Sequence, residues 1–196
     1  MKFSSARQLW HDAYYQRHES TTAYALEVGM LQASIQKTNR DRRTEVAIDQ
    51  ALAGMVQSAI STLPATLQCF GHWMYSPLAD DDHREIAEEL VYAIARSKVE
   101  RMTAAKSERA RYVAMGVLYR YRRQHQGGQG AAPDPLPTPE AFRGWLEMTY
   151  GVRIDSRNWA REWEEFIERC LDACNDLDRK ALQPVSILLS EMKEAA

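Results

Sequence analysis

Apolar residues along this chain recur at spacings of three and four, and no run of length alternates with a period of two. That is the pattern of helices with one buried face. Residues 1–43 read as helical but weakly amphipathic, with Trp10, Tyr14, Tyr15 and His18 on one side and a polar run from Thr38 to Arg43 that predicts a turn or helix end. From Thr44 the pattern sharpens: Val46, Leu52, Met55, Val56, Ala59, Ile60 and Leu63 form a stripe that stops at Pro64. Proline lacks an N–H and pushes its predecessor out of the helical region, so a boundary belongs there. ATLQCFGHWMYSPLA, residues 65–79, is a dense apolar and aromatic patch punctuated by Gly71 and Pro77, and predicts a short helix and a loop.

Asp80, Asp81 and Asp82 open the next helix, where carboxylates accept free N–H groups and oppose the positive helix end. Its apolar positions are Ile86, Leu90, Val91 and Ile94. Ser107, followed by Glu108, is the expected cap of a helix that buries Ala110, Val113, Val117, Leu118 and Tyr121. Composition then shifts to prolines and glycines over residues 124–137. Thr138-Pro139-Glu140 is a strong helix start, a capping hydroxyl followed by proline in the first turn. Phe142, Trp145, Leu146 and Tyr150 face inward, and Gly151 ends the helix. Ser156 is the expected cap of the following helix, with Trp159, Trp163, Phe166, Ile167, Cys170, Leu171 and Cys174 as its stripe. A last helix is expected from about Asp178 to Met192, despite Pro184, burying Val185, Leu188, Leu189 and Met192. The predicted fold is all-α: a helical-bundle N-terminal domain (1–123), a Pro/Gly-rich linker (124–137) and a small helical domain (138–196) containing a helix–turn–helix-like unit.

Composition narrows the function classes. Of 196 residues, 45% are hydrophobic and 27% charged, which suits a folded core. A net charge of −2 argues against a polycation that coats nucleic acid, but leaves room for a local basic face. No apolar run reaches the ~18 residues of a membrane span, and MKFSSARQLWHDAYY has no apolar signal core, so no membrane partner is expected. Three cysteines without framework spacing, Cys69, Cys170 and Cys174, suit a reducing cytoplasm. Cys170 and Cys174 share a helix face, but a structural zinc site needs four ligands and no CxxC or HxxxH pair completes the set, so both read as core. The Asp80–His83 cluster sits where a helix needs a cap, and Glu164, Glu165 and Glu168 read as a solvated face. There is no nucleophile elbow, phosphate loop or dinucleotide fingerprint, and the GGQG of residues 127–130 follows a helix rather than a strand. No enzyme and no cofactor are therefore expected.

Charge is segregated. Between Lys98 and Arg123 eight Lys or Arg face two Glu, a balance of +6, while Asp80 to Glu89 holds six acids and one Arg, a balance of −5. Arg109, Arg111, Arg120, Arg122 and Arg123 are candidate phosphate contacts on the basic stretch; the alternative is that they pair with acids elsewhere in the chain. The second candidate is the unit around Gly151. A glycine turn between two amphipathic helices, followed by Arg153, Ser156, Arg157, Asn158 and Arg161, places donors at the start of the second helix. Arginine pairs bidentately with guanine and asparagine with adenine in the major groove. Plain packing of two helices accounts for the same pattern without DNA.

The run from Leu136 to Cys174, with its helix after Pro-Thr, its polar turn, Trp159-Ala160-Arg161 and then Cys170-Leu171, resembles the C-terminal part of lambdoid phage antitermination proteins of the Q type and of AlpA-type antiterminators. The Leu118-to-Arg123 element fits as the helix before an insertion. Some members insert a zinc ribbon of CxxC pairs there; this chain has none, so no metal site is implied. The resemblance implies a regulator that binds a promoter-proximal DNA element through Arg157, Asn158 and Arg161. It also implies contacts with RNA polymerase and its σ factor, and travel with the enzyme near the nascent RNA to suppress terminators. The basic 98–123 stretch would then suit DNA or RNA, and the acidic, aromatic 65–95 region polymerase. The competing expectation is a helical adaptor or inhibitor that binds protein alone.

Overall fold

A computed structural model of the chain describes residues 5–15, 39–126 and 132–194, the side chains of 39–46 excepted. His18, Thr38 and residues 127–131 lie outside the described residues. Among the described residues there are seven α-helices and no strand: α1 (Ala6–Tyr14), α2 (Asn39–Ser61), α3 (Ala65–Tyr75), α4 (Asp81–Ser97), α5 (Ala104–His125), α6 (Pro139–Tyr150) and α7 (Glu165–Glu194), the last preceded by a π-helical turn, Ala160–Glu164. No described helix is long and apolar enough to cross a membrane.

The predicted punctuation holds where a side chain can satisfy a free backbone N–H. Asp80 accepts the N–H of His83 at 2.9 Å and starts α4. Thr138 accepts the N–H of Ala141 and Pro139 occupies the first turn of α6. Gly151, with φ of 68°, closes α6 in the left-handed region that a side chain disfavours.

Three boundaries differ from expectation. Asn39 to Arg43 is the first part of α2 rather than a turn. Thr103, not Ser107, caps α5, accepting the Lys106 N–H at 3.3 Å, because it offers the same chemistry one turn earlier. Ser107 instead meets the Tyr92 hydroxyl at 2.7 Å and ties α5 to α4. The expected break before Asp178 is absent: α7 runs unbroken through Pro184. Its buried positions, Cys170, Cys174, Leu177, Ala181, Val185 and Leu189, stay in phase across the proline. Burial along that whole face outweighs one lost backbone hydrogen bond.

Helix α7 packs against α1, α2, α3, α4 and α5, and one core extends from Leu9 to Leu189. Residues before and after the 124–137 stretch therefore share a core, so this stretch links two helices of one packed body. The path explains the packing. Helix α6 returns antiparallel along α5, with Trp145 stacked on Tyr119 at 4.7 Å and Tyr150 beside Tyr112 at 5.4 Å. Helix α7 then runs parallel to α5: Trp163 lies by Lys106, and fifteen residues later on each helix Asp178 meets Tyr121. Small residues bring these elements close. A Cβ on Gly116 would stand 2.6 Å from the Phe142 ring, and one on Gly71 would overlap Trp10, which is wholly buried. Phe70 and Tyr75 are core residues, which removes them from the surface proposed for polymerase contacts.

One polar group sits at the centre. The Asp178 carboxylate is 4% exposed. It accepts from Arg7 of α1 at 2.7 Å, from the Tyr75 hydroxyl of α3, and from the Tyr121 hydroxyl of α5 at 3.3 Å. Burial and the neighbouring carboxylate hold both phenols well above their usual pKa, so they remain donors. His72, wedged between Trp10 and Tyr14 at 5.6 and 4.7 Å, is held below the ordinary imidazole range by burial and by His83.

Three stability outcomes are expected. Asp178→Ala orphans two buried hydroxyls and should cost about 3–5 kcal/mol in chemical denaturation, against about 1 kcal/mol for Tyr121→Phe. Gly116→Ala should destabilise by about 1–3 kcal/mol through overpacking despite alanine's better helix propensity, with Phe142→Leu in the same chain recovering most of the loss. Because the folded pKa of His72 lies below its unfolded value, its contribution is intact above about pH 6.5 and lost as pH falls below that. Thermal midpoints measured from pH 7.5 to 5.5 should therefore decline, and His72→Gln should flatten the decline; an unchanged slope would place the proton elsewhere.

Candidate nucleic-acid interface

The unit around Gly151 is built by local bonds. The Gly151 N–H reaches the Glu147 carbonyl at 2.9 Å, and Arg153 Nε donates to Glu147 Oε1 at 2.6 Å, pinning the chain as it leaves α6. Asp155 Oδ1 accepts the Arg157 N–H at 2.9 Å, an Asx turn that reverses direction. The expected Ser156 side-chain cap is replaced by this turn and by backbone bonds: Trp159 N–H to Ser156 O at 3.3 Å, and Glu162 N–H to Asn158 O at 2.9 Å.

The π turn, Ala160–Glu164, follows directly. One extra residue per turn changes the rotation of the helix start relative to α7. Trp159 and Trp163 are both buried, against Phe142 at 5.7 Å and Phe166 at 6.4 Å, and Lys106 lies 5.3 Å from the Trp163 ring centre. Two buried indoles thus clamp a short segment whose remaining side chains face solvent.

Ser156, Arg157, Asn158 and Arg161 are all exposed and share one shallow concavity of about 400 Å³ with Arg143. Among the described residues the Arg157 and Asn158 side chains have no hydrogen-bond or ionic partner, and the only ion pair of Arg161 is a 3.9 Å approach to Glu162. Arg153 stands apart, held by Glu147 although its side chain is 84% exposed. Carboxylates surround the patch: Glu140 pairs with Arg143 at 3.1 Å, and Glu164 lines the concavity.

The arginines of α5 do not form one track. At 100° per residue, Arg111 and Arg122 fall on one flank of the buried stripe and Arg109, Arg120 and Arg123 on the other. Arg111 is taken up by Glu89 and lies 4.4 Å from the Tyr92 ring centre. Arg120 Nε donates to Asp134 at 2.7 Å and fastens the segment before α6. Arg122 stands 3.7 Å from the centre of Trp73. Arg109 and Arg123 are exposed, with no ion pair among the described residues. The expectation of internal pairing thus accounts for Arg111 and Arg120.

Cys170 and Cys174 are buried in the α7 stripe; burial pushes the Cys170 thiol up to about 12 and holds the Cys174 thiol well above the ordinary thiol range. Both stay protonated, which suits packing rather than nucleophilic or ligand chemistry. Among the described residues no group of three or more His, Cys, Asp or Glu could hold a metal ion. Sequence reasoning missed the placement of Asp178, although its spacing from Cys174 and Ala181 puts it on the buried face.

No family model matches the chain, and no curated protein or solved structure matches it either. Geometry and chemistry therefore carry the functional reading.

Proposed function

We propose that this protein is a DNA-binding regulator of transcription, acting as an antitermination factor that engages RNA polymerase near a promoter. The observation that carries the reading is the solvent-facing set Ser156, Arg157, Asn158 and Arg161, whose donors are left free on a segment clamped by buried Trp159 and Trp163. Donors on a backbone held at both ends by buried indoles suit base edges in a major groove, because their starting points are fixed while the side chains stay free to bond. The glycine turn after α6 supplies the preceding helix that such a unit uses to meet the backbone. The resemblance of residues 136–174 to Q-type antiterminators supports the antitermination step and the polymerase partner.

The carboxylates around the patch shape the expected behaviour. Glu140, Glu147 and Glu164 weaken attachment to phosphate in general and leave discrimination to the few free donors. Binding should therefore be sequence-dependent with a shallow salt slope, each phosphate-contacting arginine contributing about 0.9 to the slope of log K against log salt.

Two measurements test this. Run-off transcription past an intrinsic terminator, on templates carrying the upstream promoter region native to this chain, should show readthrough that depends on the template. No readthrough at saturating protein and low salt removes the antitermination reading and favours a protein-only adaptor. In mobility-shift titrations on the same DNA, Arg157→Glu with Arg161→Glu should lower affinity at least a hundredfold, as expected when two charge-assisted contacts are lost and reversed. Unchanged affinity and salt slope would place recognition elsewhere.

A further inference from the structure

A cleft of about 590 Å³ opens between the start of α1, the end of α3 and the end of α5. It is larger than the concavity at Arg157 and lies toward the other end of the α5–α7 pair, about 22 Å away by the fifteen residues that separate Asp178 from Trp163. Arg7 and His11 of α1 line one side, and Arg122, Arg123, His125 and Gln126 the other. No carboxylate lines it among the described residues. Attraction to the negative end of α5 explains basic residues in that helix's last turn, and Arg7 of α1 stands opposite them because it reaches Asp178.

The cations are held in place. Arg7 gives one Nη to buried Asp178, which cancels its charge while fixing its position. Arg122 lies over Trp73, and the Gln126 side-chain oxygen, in the amide orientation that satisfies both groups, accepts from its Nε at 2.8 Å and an Nη at 3.0 Å. Burial and the adjacent Arg123 both oppose the charge on Arg122. Neither Arg122 nor Arg123 has a carboxylate partner among the described residues; Arg122 is held by Trp73 and Gln126, and exposed Arg123, about 100° round the helix, borders the same cleft. His125 Nδ1 donates to the Tyr121 carbonyl at 2.7 Å and the ring stacks on Tyr121, leaving Nε2 as its remaining polar atom. His11 is 3.4 Å from Asp12, which also accepts from Gln8.

We propose that this cleft binds a phosphate group of a nucleotide-sized ligand, with Arg122 and Arg123 as its principal donors. A phosphate supplies the two negative charges that the arginine pair lacks, and the Arg122 N–H donors that Gln126 does not take remain for its oxygens. The volume falls within the range of small-ligand sites.

Titration calorimetry with adenosine 5′-monophosphate, with adenosine as control, tests the proposal. The nucleotide should bind saturably and adenosine should not. Arg123→Gln, an exposed position, should weaken binding about tenfold or more, and Arg122→Gln should do the same. Arg157→Glu with Arg161→Glu should leave it unchanged, which keeps this site separate from the DNA-reading patch. A single-stranded oligonucleotide without terminal phosphates distinguishes the sources: binding through the same two arginines assigns the phosphate to a strand backbone, and binding of the mononucleotide alone to a free nucleotide. Equal binding of adenosine, affinity indifferent to both arginine variants, or no binding of either phosphate probe would overturn the proposal.

Discussion

A carboxylate in a packed interior is tolerated only where donors replace the water it has lost, and Asp178 meets that condition with three donors from three different helices. Apolar contact is non-directional, so the stripe of small residues on α7 leaves latitude in how the helix is rotated and how far it slides. The carboxylate removes that latitude. Its two oxygens must face Arg7, Tyr75 and Tyr121 together, which fixes α7 against α1, α3 and α5. The two phenols, kept protonated by burial and by the carboxylate itself, donate without adding charge. The guanidinium supplies the one compensating charge from the solvent side, where its side chain remains 40% exposed.

That pin gives meaning to the small residues around it. Ala173, Cys174 and Ala181 let α7 come close to its neighbours, and Gly71 and Gly116 admit Trp10 and Phe142 against a bare backbone. Aromatic rings fill the spaces at helix ends: Trp163 beside Lys106 at one end of the parallel pair, His125 on Tyr121 near the other. Position along α7 is thereby transmitted to both ends. The segment at 156–161 is set by Trp159 and Trp163 on the same rigid element whose middle carries Asp178.

Much of this was legible in the sequence. The helical period, the Pro64 and Gly151 stops, and the Asp80 and Thr138 caps all follow from local chemistry, and the structure bears them out. What local chemistry cannot decide is which of two adequate caps is used, as at Thr103 and Ser107, or whether a tertiary stripe overrides a proline, as at Pro184. The two-domain expectation rested on composition at residues 124–137, yet burial along α7 joins the segments on either side. The arginines of α5 show the same limit. Adjacency in sequence suggested one basic track, but a period of 3.6 residues sends them to opposite flanks, and only three-dimensional neighbours such as Glu89, Asp134 and Trp73 determine what each one does. The cleft at Arg7 and Arg122 joins positions over a hundred residues apart, so no window of sequence displays it.

A chain with a net charge of −2 is a poor candidate for nucleic acid or phosphate by its total alone. The far field of the total is screened beyond about 8–10 Å at physiological salt, whereas a bound anion responds to the charges it touches. Arg111 and Arg120 already have carboxylates, so an incoming phosphate would have to displace a partner at each. Arg122, Arg123 and Arg157 have none among the described residues, so an anion would displace no carboxylate there. On the proposed reading, selectivity rests on which arginines the fold leaves unmatched, and for those of α5 the packing against α4, α6 and α7 makes that choice.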